Sequence, residues 1–220
     1  MNKYCIYYIP KSEDPESDLL MIYFGENQQV SNRFEQNGIK VLLSGDNVVG
    51  FVLYNFSKLC KIKTRGMVYK PIDSLVDVIN SELDNANLPT LEYMEESGYV
   101  VAKIIDKKKL KDSYCYLLDT NKEKIYSEST SDLDAGENVV VALNGTYLLP
   151  ARMIVAYEIN KDKNLISGGR ICTLRDLQIF EYNDLDSVAI LDKDTPIGID
   201  FFVTEAKGDA WNWIEKCREN

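Results

Sequence analysis

Three stretches in the second half of the chain decide the fold. They read GENVVVALNGTYLLPARMIVAYEI (residues 136–159), LISGGRICTLRDLQIF (165–180) and SVAILDKDTPIGIDFF (187–202). The apolar runs in them, at 139–143, 153–159 and 188–191, are separated by Gly, Asn, Pro and Asp. Short apolar runs between such residues are typical of β-strands joined by turns. We therefore expect a β-rich second half.

Short strands are also expected upstream of these stretches, at residues 99–105, 114–118 and 124–127. With the three apolar runs they supply enough strands for a five-stranded all-β barrel. A polar segment before residue 99 marks the boundary, so the sequence predicts a barrel domain over residues 96–203. The tail, residues 204–220, is predicted to form an amphipathic helix around Trp211 and Ile214.

The barrel is expected to contain one short helix, beginning at Thr173. Thr173 stands where a helix N-cap is expected, and Asp176 follows in the capping-box position.

The first half of the chain has a different pattern, which predicts an α+β domain over residues 1–95. Apolar runs on both sides of a Pro-containing turn indicate a hairpin within residues 1–24. A second hairpin is indicated by the runs 39–43 and 48–54, which flank Ser-Gly-Asp-Asn. Pro71 then opens a segment with apolar residues at helical spacing, which predicts a helix over residues 71–87.

The composition restricts the chemistry available to the chain. It contains 220 residues and no histidine, which removes Ser–His and Cys–His nucleophile pairs and most catalytic zinc sites. No phosphate-binding loop, dinucleotide fingerprint or paired-cysteine zinc motif is present either. We therefore expect a protein that is not an enzyme, with no catalytic residues, no metal and no cofactor.

The cysteines and the hydropathy pattern indicate the compartment. The five cysteines are widely spaced and never form CxxC, which is typical of reduced thiols. No apolar run approaches the roughly 20 residues that span a bilayer, and no signal-peptide pattern opens the chain. We expect a cytoplasmic protein without membrane association.

The formal net charge of −10 opposes nucleic-acid binding, but basic residues are concentrated in two segments. Residues 96–125 carry seven lysines against five acids, and residues 151–175 carry five basic residues against two acids. Local basic segments of this kind are the electrostatic footprint of a polyanion-binding surface.

The order of motifs in the second half resembles the tRNA-binding OB domain of phenylalanyl-tRNA synthetase β chains, methionyl-tRNA synthetase C-termini and free-standing bacterial tRNA-binding proteins. The resemblance is carried by residues 136–142, 167–173 and 190–201. In the first half, Gly50-Phe51, Asn55, Ser57, Ile62, Gly66 and Val68 stand in the order seen in two-domain, YtpR-type members of that group.

The resemblance implies a non-catalytic protein that binds tRNA or another structured RNA through an OB-fold domain. The residues expected to contact RNA are Lys107, Lys108, Lys109, Lys111, Ser167, Gly169 and Arg170. A glycine pair permits close backbone approach, and arginine pairs with phosphate or stacks on a base. Strand tyrosines such as Tyr157 are either stacking platforms or half-buried packing residues.

The sequence also supports a second hypothesis, a protein-interaction module on an OB fold that has lost RNA binding. The family's His-Pro-Asn-Ala-Asp-Lys-Leu loop is replaced by a lysine run, its Cys-Gly-Ala-Pro-Asn turn is missing, and Arg170 stands in place of its Met. The partner would then be a protein such as an aminoacyl-tRNA synthetase. A homodimer formed through OB edge strands is compatible with either hypothesis.

Overall fold

The computed structural model describes residues 3–10, 18–60, 62, 65–160 and 164–202. Antiparallel strands dominate these residues, and the prediction of a β-rich second half is confirmed. The chain divides into two compact units, the first containing Met1–Glu95 and Leu149–Arg152, the second containing Glu96–Leu148 and Met153–Asn220. No helix in the described part is long and apolar enough to cross a membrane.

The first unit is a six-stranded antiparallel sheet in the order β3-β4-β5-β2-β1-β6, with one helix. Its elements are β1 (Cys5–Ile9), β2 (Leu19–Tyr23), β3 (Asn32–Gln36), β4 (Ile39–Ser44), β5 (Asn47–Tyr54), β6 (Gly66–Val68) and α1 (Asp73–Asn85). Leu75, Val76, Ile79 and Leu83 of α1 are buried in one core with alternate residues of the central strands. The helical spacing of these residues is what the sequence predicted, and α1 lies within the expected range.

A buried carboxylate ties β2 to the segment after β5. Asp18 is 2% exposed, and its two oxygens accept hydrogen bonds of 2.7 Å from the backbone N–H and the hydroxyl of Ser57. Asn55 precedes this contact in a left-handed conformation (φ 54°) and donates its backbone N–H to Asp18 O. Asn55 and Ser57, two positions of the family resemblance, therefore have a structural role here.

Strand β3 was not predicted from the sequence. It forms a hairpin with β4 across Asn37 and Gly38, which both have positive φ (49° and 84°). Asn-Gly is the strongest two-residue hairpin signal, because the type I′ turn needs φ > 0 at both positions. The strand was missed because four of its five residues, Asn32, Arg33, Glu35 and Gln36, are polar or charged and all but Gln36 are exposed.

The second unit is built on a sheet with the order β15-β10-β7-β8-β9, with β16 also paired to β10. Its elements are β7 (Tyr99–Lys109), β8 (Tyr114–Asp119), β9 (Lys124–Ser129), β10 (Asn138–Leu143), β11 (Tyr147–Leu148), β12 (Arg152–Met153), β13 (Glu158–Asn160), β14 (Leu165–Ile166), β15 (Gly169–Ile171) and β16 (Ile190–Leu191). The core lies between alternate residues of β7, β8, β9 and β10, with Ile171 of β15 and Leu133.

The two ends of this sheet approach each other at one point. Tyr126 of β9 and Ser167, just before β15, form an isolated parallel bridge, and Gly168 donates its backbone N–H to Tyr126 O at 2.8 Å. The Ser127 hydroxyl also accepts a hydrogen bond from Ile171 N. In the described residues this contact does not extend into a ladder, so the expected barrel is not closed by continuous pairing.

Two local predictions in the second unit are wrong. The segment from Thr173 forms a single turn rather than a helix, although Thr173 and Asp176 make the reciprocal hydrogen bonds of a capping box. Such a box satisfies only the first turn, and the next residues leave it at Gln178, whose φ is positive. The run 153–159 is divided between β12 and β13 instead of forming one strand. The predicted tail helix lies outside the described residues.

Candidate nucleic-acid interface

The predicted lysine run lies mostly in a strand rather than a loop. Residues 107–109 are the end of β7, and they pair with the beginning of β8, Lys108 opposite Cys115 and Lys109 opposite Tyr114. Lys108 and Lys109 are exposed. Lys111 follows the strand and lies 3.9 Å from Asp112, with both side chains almost fully exposed.

The charge of Lys107 is used within the chain. Its Nζ lies 2.8 Å from Asp132 Oδ1 and 3.1 Å from Asp134 Oδ1, and it donates to Leu133 O at 2.8 Å. Hydrogen bonds to Asp132 and Asp134 hold the pKa of Lys107 above its usual value, and the Lys107 contact lowers the pKa of Asp132. A lysine with three acceptors of its own contributes little to an external phosphate site.

The predicted glycine pair packs against the protein itself. A Cβ added at Gly168 would lie 2.6 Å from Ile125 Cβ, and one at Gly169 would lie 2.6 Å from Ala142 O. Both glycines are therefore needed where β15 crosses the ends of β9 and β10. Gly169 is buried and pairs with Leu143. The glycines therefore allow β15 to approach the neighbouring strands closely.

Ser167 is 1% exposed and acts on a neighbour instead of facing solvent. Its backbone N–H donates to Tyr157 O at 2.8 Å, and its hydroxyl accepts from Tyr157 N at 3.1 Å. The two hydrogen bonds fix the backbone of Tyr157 beside β15. Ser167 thereby positions an aromatic residue, Tyr157, that is 46% exposed.

Arg170 is the one member of the predicted Ser-Gly-Gly-Arg motif whose side chain is exposed. Its Nε lies 3.4 Å from Asp176 Oδ2, and half of the side chain is accessible. The Asp176 oxygen also accepts the Thr173 backbone N–H at 2.9 Å. Because this carboxylate is shared with the capping contacts, the guanidinium is anchored at one edge and retains donors for a ligand.

An outer face is formed by the side chains of β8 and β9 that point away from the core. Tyr116, Leu118 and Ile125 are in the core, so strand alternation places the residues between them on the opposite face. The outer-face residues are Cys115 opposite Glu128, and Leu117 opposite Tyr126.

A cleft of about 270 Å³ opens at the end of this outer face. It is lined by Ser113, Glu128, Ser129, Thr130, Ser131, Tyr157, Arg170, Ile171, Thr173 and Asp186. The lining combines one aromatic ring, one guanidinium, two carboxylates and five hydroxyl side chains. This is a polar site with both donors and acceptors.

Glu128 is the central acceptor of the cleft. Its Oε1 accepts a hydrogen bond from the Ser113 hydroxyl, and its Oε2 accepts one from the Tyr157 hydroxyl at 3.3 Å. Burial, followed by the Glu128 charge, raises the pKa of Tyr157 to about 12, so the phenol stays protonated and donates at neutral pH. Each carboxylate oxygen has a second lone-pair site, which remains for a ligand.

Of the seven predicted site residues, the structure places Arg170 at the cleft and Lys108 opposite Cys115, whose other neighbour is Glu128. Lys107, Ser167 and Gly169 are engaged inside the unit, and Lys109 and Lys111 lie at the end of β7 and just beyond it. Glu128 and the hydroxyl residues of the cleft were missed. Strand alternation in residues 124–129 identifies Glu128 as an outward-facing residue, but it does not identify its hydrogen-bond partners, Ser113 and Tyr157.

The described residues offer little for covalent or metal chemistry. They contain no group of three or more His, Cys, Asp or Glu side chains suited to a metal ion. Cys5, Cys115 and Cys172 are buried, and burial raises the pKa of each thiol, to about 12 for Cys5. Thiols held in the protonated form are poor nucleophiles.

Comparison of the chain with protein-family models gives no match, and comparison with curated proteins gives none either.

Proposed function

We propose that the second unit is an OB-type domain that binds structured RNA, such as tRNA, and holds an unpaired nucleotide in the cleft beside Arg170. The strand order supports the architecture. An OB fold is a partly open five-stranded Greek-key barrel, and it binds oligonucleotides on the face of its second and third strands. Here β8 and β9 are the second and third, in chain order, of the five strands β7, β8, β9, β10 and β15.

The position of the cleft is the observation that carries this proposal. It lies where β8 begins and β9 ends, beside the loop between the first and second strands, β7 and β8. Ser113 belongs to this loop. Tyr157 enters it from the long connection between β10 and β15. The loops that flank the binding face of OB folds are the same two connections.

The chemistry of the cleft suits an exposed base better than a bare phosphate. Unpaired RNA bases stack on aromatic or guanidinium planes and use their edges for hydrogen bonds, which Tyr157, Arg170 and Glu128 can supply. A site for phosphate alone would not place two carboxylates, Glu128 and Asp186, beside one guanidinium. Phosphate attraction would instead come from Lys108, Lys109 and Lys111.

The experiment is a fluorescence-anisotropy titration of total tRNA and of a mixed-sequence single-stranded RNA, at roughly 50 and 200 mM salt. Lys108→Glu and Arg170→Glu should each weaken binding and make it less salt-dependent. Lys122→Glu is the matched control. Lys122 lies in the turn between β8 and β9, forms an ion pair with Glu96 and does not line the cleft. Absence of binding at the lower salt concentration would reject the proposal.

A protein-interaction module remains the second candidate, and the pairing of Lys107 favours it. The ion pairs of Lys107 with Asp132 and Asp134 offset its charge. They therefore reduce the positive potential of the predicted RNA-binding face, in a chain whose net charge is −10. This alternative predicts no RNA binding in the titration above. It also predicts co-purification of a defined partner, such as an aminoacyl-tRNA synthetase, that Lys108→Glu does not abolish.

A further inference from the structure

Strand β3 is an exposed edge of the first unit. Among the described strands it pairs with β4 alone, and four of its five residues are exposed. Phe34, at its centre, is 44% exposed although its cross-strand partner Val41 is fully buried. An uncovered edge with an apolar centre is a template for the addition of another strand.

The hairpin turn determines which backbone groups face outward from β3. In a two-residue hairpin the flanking residues, Gln36 and Ile39, form a hydrogen-bonded pair, and pairs alternate from there. The backbone groups of Arg33 and Glu35 therefore point away from β4. The Arg33 N–H confirms this direction, because it donates to the side chain of Asn32 at 2.8 Å.

The sequence of this edge, Asn-Arg-Phe-Glu-Gln, is complementary to itself in the antiparallel direction. With a two-fold axis at Phe34, Arg33 of one copy lies opposite Glu35 of the other. Because both residues direct N–H and C=O groups outward, they would exchange both backbone hydrogen bonds while their charges attract, with the Arg33 N–H leaving Asn32 Oδ1 for the other copy. The two Phe34 side chains would meet at the closer, non-hydrogen-bonded position.

We propose that β3 binds β3 of a second copy of this chain, which joins the two six-stranded sheets into one. Lys40 lies opposite Glu35 on β4, so each Glu35 would stand between its own Lys40 and the Arg33 of the other copy. Such alternation of charge across three strands fixes the register. The arrangement is isologous and uses the β3 edge of each copy. No β3 edge is then left to bind a third copy, so the assembly stops at the dimer.

The interface is small, and this determines how it must be measured. A strand of five residues places the contact in the size class of weak, transient complexes. We therefore expect a reversible monomer–dimer equilibrium that shifts with concentration. Sedimentation velocity of the full chain over a wide concentration range measures it directly.

Charge reversal provides the decisive variants. Arg33→Glu and Glu35→Arg should each weaken the dimer by about tenfold, because each converts two attractive pairs into two repulsive ones. The double variant has the composition of the natural chain and restores both pairs between the copies, although it places an arginine opposite Lys40, so its dimer should be tighter than that of either single variant. All substituted positions are exposed, which keeps the fold intact.

Three results would overturn the proposal. They are a chain that stays monomeric at every concentration, a dimer that neither single reversal weakens, and a double variant that remains as weak as the single ones. A dimer that is weakened only by substitutions in the second unit would also overturn the proposal, because neither single reversal in β3 would then weaken it.

Discussion

Lys107 Nζ lies 2.8 Å from Asp132 Oδ1, and this contact joins the end of β7 to the segment that follows β9. Tyr114 lies in the same cluster, with its hydroxyl 3.0 Å from Asp132 Oδ2 and its ring 5.9 Å from the Lys107 ammonium. The cluster is an internal network at one end of the sheet. It holds the Lys107 ammonium on acceptors of its own unit.

The first prediction follows from this network. Lys107→Ala should change RNA affinity less than about twofold, because an ion-paired lysine releases few counterions on binding, whereas Lys109→Ala should weaken it and flatten the salt dependence. Anisotropy titrations of the two variants in parallel make the comparison. An equal loss of affinity in both would show that Lys107 exchanges its partners for RNA.

The second prediction concerns the glycine pair. Gly168→Ala and Gly169→Ala should each lower stability by about 1–3 kcal/mol in urea unfolding, because the added methyl group overpacks against Ile125 or the Ala142 carbonyl. Gly136→Ala is the control, since its Cβ would meet nothing within 4 Å and would leave only the strain of a positive φ. Unchanged stability with lost RNA binding would return both glycines to the ligand site.

The third prediction tests Tyr157 as a stacking platform. Tyr157→Ala should weaken the binding of single-stranded RNA by about 1–3 kcal/mol, whereas Tyr157→Phe keeps the ring and loses only the hydrogen bond to Glu128. Tyr126→Phe serves as a conservative control on the neighbouring strand. If the Phe variant were as weak as the Ala variant, the hydroxyl rather than the ring would be the determinant.

Positioning of Tyr157 by Ser167 gives a fourth prediction. Ser167→Ala removes the acceptor of the Tyr157 N–H. It should therefore weaken RNA binding, although the Ser167 side chain itself does not contact RNA. The effect should vanish in the Tyr157→Ala background, because a positioning residue has nothing left to position. Additive losses in a double-mutant cycle would instead indicate a direct contact from Ser167.

The fifth prediction is a pH dependence that arises from Asp18. Burial alone would raise the pKa of this carboxyl, but the hydrogen bonds from Ser57 outweigh it and hold the pKa below its usual value. A pKa lower in the folded than in the unfolded chain contributes stability above the unfolded value, which is lost as the pH falls through the folded one.

Asp18→Ala should therefore cost about 1–3 kcal/mol at neutral pH, because it leaves the Ser57 donors without acceptors, and the difference from the natural chain should shrink in acid. Urea unfolding at neutral pH and below pH 4 measures both. Asp46→Asn, in an exposed turn, is the control. A penalty for Asp18→Ala that is the same at both pH values would contradict the assignment.

Local patterns predicted most of the elements, because they depend on neighbours in sequence. The apolar runs on either side of the turn from Ser44 to Asn47 predicted β4 and β5, and the spacing of Leu75, Val76 and Ile79 predicted α1. The partners of Lys107 could not be predicted in this way, since Asp132 is 25 residues distant and is brought near by strand pairing. Proximity in sequence to Lys108 does not indicate these partners.

The capping box at Thr173 illustrates a second limit. Its hydrogen bonds form as the residue types dictate, yet the following residues turn away to pair elsewhere, with Arg175 N donating to Leu185 O. A cap specifies how a helix begins, whereas its length depends on the apolar face that follows. Here Leu177 and Ile179 are buried at alternate positions, which does not continue a helical face.

The buried thiols give the protein a native set of unfolding reporters. Cys5 belongs to the first unit, and Cys115 and Cys172 belong to the second. A thiol that is both inaccessible and protonated reacts with an alkylating reagent only while its surroundings are open. Mass spectrometry after pulsed alkylation would therefore time the opening of each unit separately, in the unmodified chain and in the presence of RNA.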